Sequence, residues 1–182
     1  MSPRALRTLV LAAAALAVAW AAFQWFRPVN RVQRATYRLL AVCPKDAPGA
    51  DPPLETVRIL SAFRAALATN AVANVEPAGE IRGRDNILQA VQVLRPCADS
   101  IWLDHPLVRA RALDRRTVEV LVDVPWKIRL SSACSSLSSG RRWDYDLHAR
   151  LLWGKTPDGW RLVRADIAPF RGIPLPASPA SS

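Results

Sequence analysis

The sequence predicts an α+β domain in which two or three helices cover one face of an antiparallel sheet, preceded by an apolar N-terminal helix. Three observations carry this. Thr117 to Leu130 alternates, with Val118, Val120, Val122, Val124, Trp126, Ile128 and Leu130 on one side and Thr117, Glu119, Asp123, Lys127 and Arg129 on the other. Alternation held that long marks a strand with one core face and one wet face. The chain from Ser100 to Phe170 then reads as strand after strand with short connections, an antiparallel meander. Upstream of it, apolar residues recur at helical spacing.

Composition narrows the classes. The 182 residues carry a net charge of +10, but residues 1–42 hold six arginines and no acid. The remainder has 19 basic and 15 acidic groups, so it is only +4. The excess flanks an apolar segment, as expected beside anionic lipid headgroups. No basic run with interleaved aromatics suggests a groove for single strands, which argues against nucleic acid as a partner. Cys43, Cys97 and Cys134 show no CxxC spacing, and the histidines are His105 and His148 alone. That excludes an ordinary zinc site, and no metal or cofactor is expected.

Thr8 to Phe26 is free of charge for 19 residues, just long enough to span a bilayer, with Trp20 and Trp25 placed for one interface. A cleaved signal peptide competes with this reading, because Arg4 and Arg7 precede the apolar run and Ala17-Val18-Ala19 supplies a cleavage site. The run continues to Phe26, which favours an uncleaved anchor over residues 1–26 that enters the membrane through 6–26. Cys43 lies too far beyond it for a lipoprotein signal. Arg27, Arg31, Arg34 and Arg38 outnumber Arg4 and Arg7, and a literal count puts the C-terminal side in the cytoplasm. The short basic N-tail instead matches an export signal, and an extracytoplasmic folded domain is expected.

Residues 27–53 read as a juxtamembrane linker, with a short helix within 31–42 and a breaker-rich stretch from Cys43-Pro44 to Pro52-Pro53. Asp51 is placed to cap a helix that takes Pro52 into its first turn. Leu54, Val57, Leu60, Phe63 and Leu67 make one stripe, giving a helix to about Thr69. Residues 70–83 read as irregular, apart from a short strand at Glu80-Ile81. Asp85 opens a second helix with Ile87, Leu88, Val91 and Leu94 inward, stopped by Pro96. Four strands follow, over 100–114, 117–130, 142–153 and 160–170, and 171–182 reads as a disordered tail.

A helix, an irregular segment, a Gly83-Arg84-Asp85-Asn86-Ile87 helix start and a meander ending in Gly159-Trp160-Arg161-Leu162 resemble the nuclear-transport-factor-2-like superfamily, its SnoaL-like members above all. Phe63-Arg64-Ala65-Ala66-Leu67 is similar to that family's first helix. The resemblance covers 54–170 and implies a cystatin-like cone: a strongly bent sheet wrapped around a pocket whose mouth the helices close. Its members include isomerases, dehydratases, cyclases and non-catalytic assembly modules. Some membrane-anchored secretion-system components share the plan of one span and one such domain.

Register places candidate site residues. If Asp114 and Thr117 close a two-residue turn, opposed residues number to 231. His105 then faces Trp126, and Arg109 and Arg111 face Val122 and Val120 on the core side. With Trp153 opposite Trp160, Tyr145, Arg164 and Asp166 join that side, while Asp144, Asp146, His148 and Arg150 point to solvent. The sum also sets Cys97 opposite Cys134, a disulfide that would stabilise the fold by about 4 kcal/mol; three free thiols is the alternative. Pro106 opposite Pro125 calls for a bulge or sharp bend, which would shift that pairing.

Three functions remain open. The favoured one is a non-catalytic interaction or accessory module of the cell envelope, with a protein partner or a second copy on a sheet face around Leu121, Val108 and Leu152. Another is binding of a small acidic or apolar ligand by Arg109, Arg111, Arg164 and Trp126. The last is a cofactor-independent lyase or isomerase with Asp166 as base and Tyr145 or His105 as donor. In the structural reading, Arg109, Arg111 and Arg164 simply pair with Asp166 near the rim.

Overall fold

Strand β5 runs from Thr117 to Leu130, the span its alternation predicts. A computed structural model describes residues 27–75, 79–130 and 142–168, with 13, 14, 16–18 and 20; the side chains of residues 130 and 142–145 lie outside that description. Around β5 stand α1 (Pro28–Leu40), α2 (Pro53–Ala66), β1 (Leu67–Val75), β2 (Gly79–Arg82) and α3 (Arg84–Leu94). A 3-10 turn (Arg95–Cys97) leads into β3 (Ala98–Leu103), β4 (Leu107–Ala112), β6 (Arg142–Thr156) and β7 (Gly159–Ala168). The sheet has the order β2-β1-β7-β6-β5-β3, and β4 also pairs with β5.

The inner face is aliphatic. Val118, Val120, Val122 and Val124 are at most 2% exposed, and across β6 they meet Trp153, Leu151, Ala149 and Leu147. Helices cover this face: Val32, Leu39, Ile87 and Leu88 belong to the same buried cluster. Burying each such aliphatic side chain contributes about 1.5–3 kcal/mol, which is why the valine row fixes the sheet's orientation.

Four expectations change. The sheet is mixed rather than purely antiparallel, because β1, which falls in a stretch read as helix end and irregular chain, runs parallel to β7. Its alternating positions Leu67, Ala71 and Ala73 are small or separated, so the period-2 signal is weak there. The stretch 27–53 is not merely a linker, since α1 buries Val32 and Thr36 completely and Gln33 donates to the Val108 carbonyl at 2.9 Å. The packed unit therefore starts at Pro28 rather than at residue 54. In α2, Ile59 is the buried residue, while Leu54 and Val57 from the expected stripe are 86% and 61% exposed. Asp51 does not cap α2; its carboxylate accepts from Arg95 Nε at 2.5 Å instead.

The bend expected at Pro106 and Pro125 is present. β3 ends at Leu103 and β4 starts at Leu107, and the Asp104 N–H donates to the Pro125 carbonyl at 3.0 Å. His105 sits in this bend at φ 39, a left-handed conformation that a histidine adopts only in a tight turn. At the head of α3, Gly83 takes φ 88, and its N–H donates to the Ala71 carbonyl at 2.8 Å; a side chain there would strain the turn that joins the sheet to α3. Among the described residues no helix is long and apolar enough to cross a membrane. Most of 6–26, the Ser-rich loop 131–140 and the tail 171–182 lie outside the described residues.

Candidate functional site: the outer face of the sheet

Two register changes decide where the charged residues go. The β4–β5 hairpin closes through Leu113 and Thr117, with the Leu113 N–H on the Thr117 carbonyl at 3.0 Å. That lengthens the turn by one residue relative to Asp114 and Thr117. Arg109 therefore pairs with Leu121 and Arg111 with Glu119, while Val108 and Ala110 face Val122 and Val120. A one-residue slip turns every side chain to the other face. Between β6 and β7 an irregularity at Leu152/Trp153 has the same effect, pairing Arg150 with Asp166 and Leu152 with Arg164. Arg109, Arg111, Arg164 and Asp166 thus lie on the outer face, not with the valines.

There they meet carboxylates. Asp123 accepts from Arg109 at 2.6 Å and contacts His148 Nδ1 at 2.6 Å. Glu119, its side chain 2% exposed, is held by Arg111 and, at 2.6 Å, by Arg150. Asp166 accepts both its bonds from Arg164 Nε, at 2.9 and 3.0 Å. His148 and then Arg109 hold the Asp123 carboxyl below the usual carboxylate range, and Arg111 and then Arg150 do the same for Glu119. The physical cause is alike in both: hydrogen bonds made to the carboxylate favour its charged form. Between these pairs runs an open groove of about 250 Å³, lined in part by Asn74, Leu121, Asp123, His148, Arg150 and Asp166. Leu107 and Leu121 are 54% and 38% exposed on the same face.

The remaining sequence candidates do not join this cluster. His105 is 99% exposed at the bend, with Asp104 at 3.4 Å. Trp126, paired with Leu103 and Tyr145 rather than His105, is on the inner face, where its indole N–H is buried without an acceptor. The Tyr145 side chain and Cys134 lie outside the described residues. Cys97 is disulfide-bonded and Cys43 is free. Among the described residues no group of three or more His, Cys, Asp or Glu could hold a metal ion. Asp123, Glu119, His148 and Arg150 were legible as wet-face positions of their strands. Their grouping was not, because the ten-odd residues between β5 and β6 leave the pairing of those strands unspecified.

A second polar cluster, at the edge of β3, has a structural character. Lys45, 5% exposed, donates to the carbonyls of Gly49 at 2.6 Å, Arg95 at 2.9 Å and Ala98. Arg95 in turn reaches Asp51 and, at 2.8 Å each, the carbonyls of Cys43 and Pro44. These bonds clasp the 43–51 loop to the turn ahead of β3.

No family model matches the sequence, and no curated protein matches it. Solved structures do. A ketosteroid isomerase-like protein from Erwinia carotovora atroseptica aligns over 78% of this chain and 95% of its own, at 10% identity and a TM-score of 0.58. A protein described as a putative aromatic ring hydroxylase from Novosphingobium aromaticivorans aligns over 78% and 90%, at 14% identity and 0.54. A type 2 hexachlorocyclohexane dehydrochlorinase aligns over 83% and 99%, at 14% identity and 0.52. At such identities the likeness concerns the fold, and the fold is the cone that the sequence resemblance implies.

Proposed function

We propose that this chain is a non-catalytic interaction module, tethered to the cell envelope through residues 6–26, whose outer sheet face docks a protein partner. One observation carries the reading: exposed Leu107 and Leu121 sit among four paired arginines on a sheet face that no described helix covers. Apolar side chains ringed by charge are the make-up of a protein-binding patch, with the charges steering and the leucines contributing buried area. An isomerase- or eliminase-type site, as the names of some structural neighbours suggest, would need an acid or base inside the cone. The described side chains that β4 to β7 turn inward are aliphatic or tryptophan along Val108, Val118 to Val124, Leu147 to Trp153 and Ala165. None of them titrates.

The experiment is site-specific photo-cross-linking from Leu107 and Leu121 in the cells that produce the chain, with Asp158 in the β6–β7 turn as control. The reading expects one protein, the same from both leucines, identified by mass and lost when Leu121→Arg is combined with the Leu107 probe. Equal adducts from Asp158, or none from either leucine, would overturn it.

A further inference from the structure

Helix α1 carries a feature that the sheet face does not use. Arg27 stands at the helix N-cap and arginines follow at 31, 34 and 38; steps of three and four residues put these three within an arc of about 60° on the helix. The buried side is elsewhere on the circumference, at Val32, Thr36 and Leu39. Arg27, Arg31 and Arg38 are exposed and Arg34 half-buried, and Tyr37 beside them is 41% exposed. No acid precedes Asp46, and the charge-free run Thr8 to Phe26 ends directly before Arg27.

We propose that this stripe is a docking surface for anionic phospholipid headgroups, laying α1 along the bilayer where the chain leaves it and so fixing how the cone faces the membrane. The charge is of one sign, it begins at the end of the apolar run, and Tyr37 supplies the amphipathic ring favoured at the headgroup level. Nucleic acid would use the same charge but has no need of the adjoining apolar run or of the tyrosine. The inference rests on the membrane tether proposed above.

The test uses the full chain in nanodiscs of neutral phosphatidylcholine or of phosphatidylcholine with one-third phosphatidylglycerol. Tyr37→Cys in a Cys43→Ser background carries a bimane label, and both discs contain the same small fraction of nitroxide-headgroup lipid. Stronger quenching is expected in the anionic discs, falling as salt is raised, because the surface potential is screened within a Debye length. Arg38→Gln should lower the docked-to-undocked ratio roughly fivefold, with the thermal unfolding temperature unchanged. Equal quenching in the two discs, or in parent and variant, would overturn the proposal. So would release of the label from the bilayer by a short DNA duplex. Flotation with neutral vesicles reports the tether separately: a chain that floats only with anionic vesicles, and only with its arginines, loses the tether and keeps the stripe.

Discussion

Glu119 stands on the solvent side of β5, yet its side chain is 2% exposed because the Arg111 and Arg150 guanidiniums cover it. A carboxylate so held has a lowered pKa, as does Asp123 between His148 and Arg109. The unfolded chain then binds a proton before the folded one does. Their contribution to stability is complete above the ordinary carboxylate pKa and is lost as pH falls through the lower folded values. Urea midpoints measured from pH 6 down to pH 3 should therefore decline in the parent, and decline less steeply in Glu119→Gln. Parallel profiles for the two proteins would sink this account. The same two residues show what a sequence can say at this scale. Alternation along β5 put Glu119 and Asp123 on the wet face correctly, but their β4 partners, Arg111 and Arg109, depended on one residue of turn length at Leu113–Thr117.

Between elements, the clasp of Lys45, Asp51 and Arg95 joins the 43–51 loop to the turn before β3. The Arg95–Asp51 pair is 10% exposed on both sides, so neither charge can be rehydrated cheaply once its partner is gone. Arg95→Met leaves a buried carboxylate and two carbonyls unpaired, and should lower the unfolding free energy by about 3–5 kcal/mol. Asp51→Asn keeps an acceptor for the guanidinium and should cost less. Chemical denaturation of both variants checks this, and a loss under about 1 kcal/mol for Arg95→Met would mark the pair as an ordinary surface one. Long-range clasps of this kind are invisible to periodicity, which is why Asp51 reads as a helix cap. Elements with strong local signals were legible: β5 from its valines, α3 from Ile87 and Leu88, and the break near Pro106 from the facing Pro125. β1 was not, because its alternating positions are largely alanine, and its place beside β7 comes from tertiary pairing.

At the scale of the whole molecule, the order of helices and strands was enough to indicate a cone, since few arrangements let three helices cover one face of a bent sheet. For the tether proposed above, the side of the membrane on which the cone would lie was not legible, because the arginine count and the export-like N-terminus point opposite ways. Cysteine chemistry separates them. Cys97 is in a disulfide, whereas Cys43 is free, and burial pushes its thiol up to about 11. A half-buried thiol with a raised pKa, donating to the Leu39 carbonyl at 3.3 Å, is protonated at neutral pH and a poor nucleophile. Native protein should therefore take up an alkylating agent only slowly. Unfolding without reductant should expose one thiol, and unfolding after reduction should expose all three cysteines of the chain. Disulfides persist in oxidising compartments and are rare in the cytosol, so the pattern found in protein trapped with the reagent as cells are broken also reports topology. One thiol per unfolded chain is expected; that result would put the cone outside the cytoplasm and, with the proposed tether, turn the arginines of α1 toward the outer leaflet. Three thiols before any reduction would place the cone inside, in agreement with the arginine count, and would remove the disulfide from the forces that hold the fold.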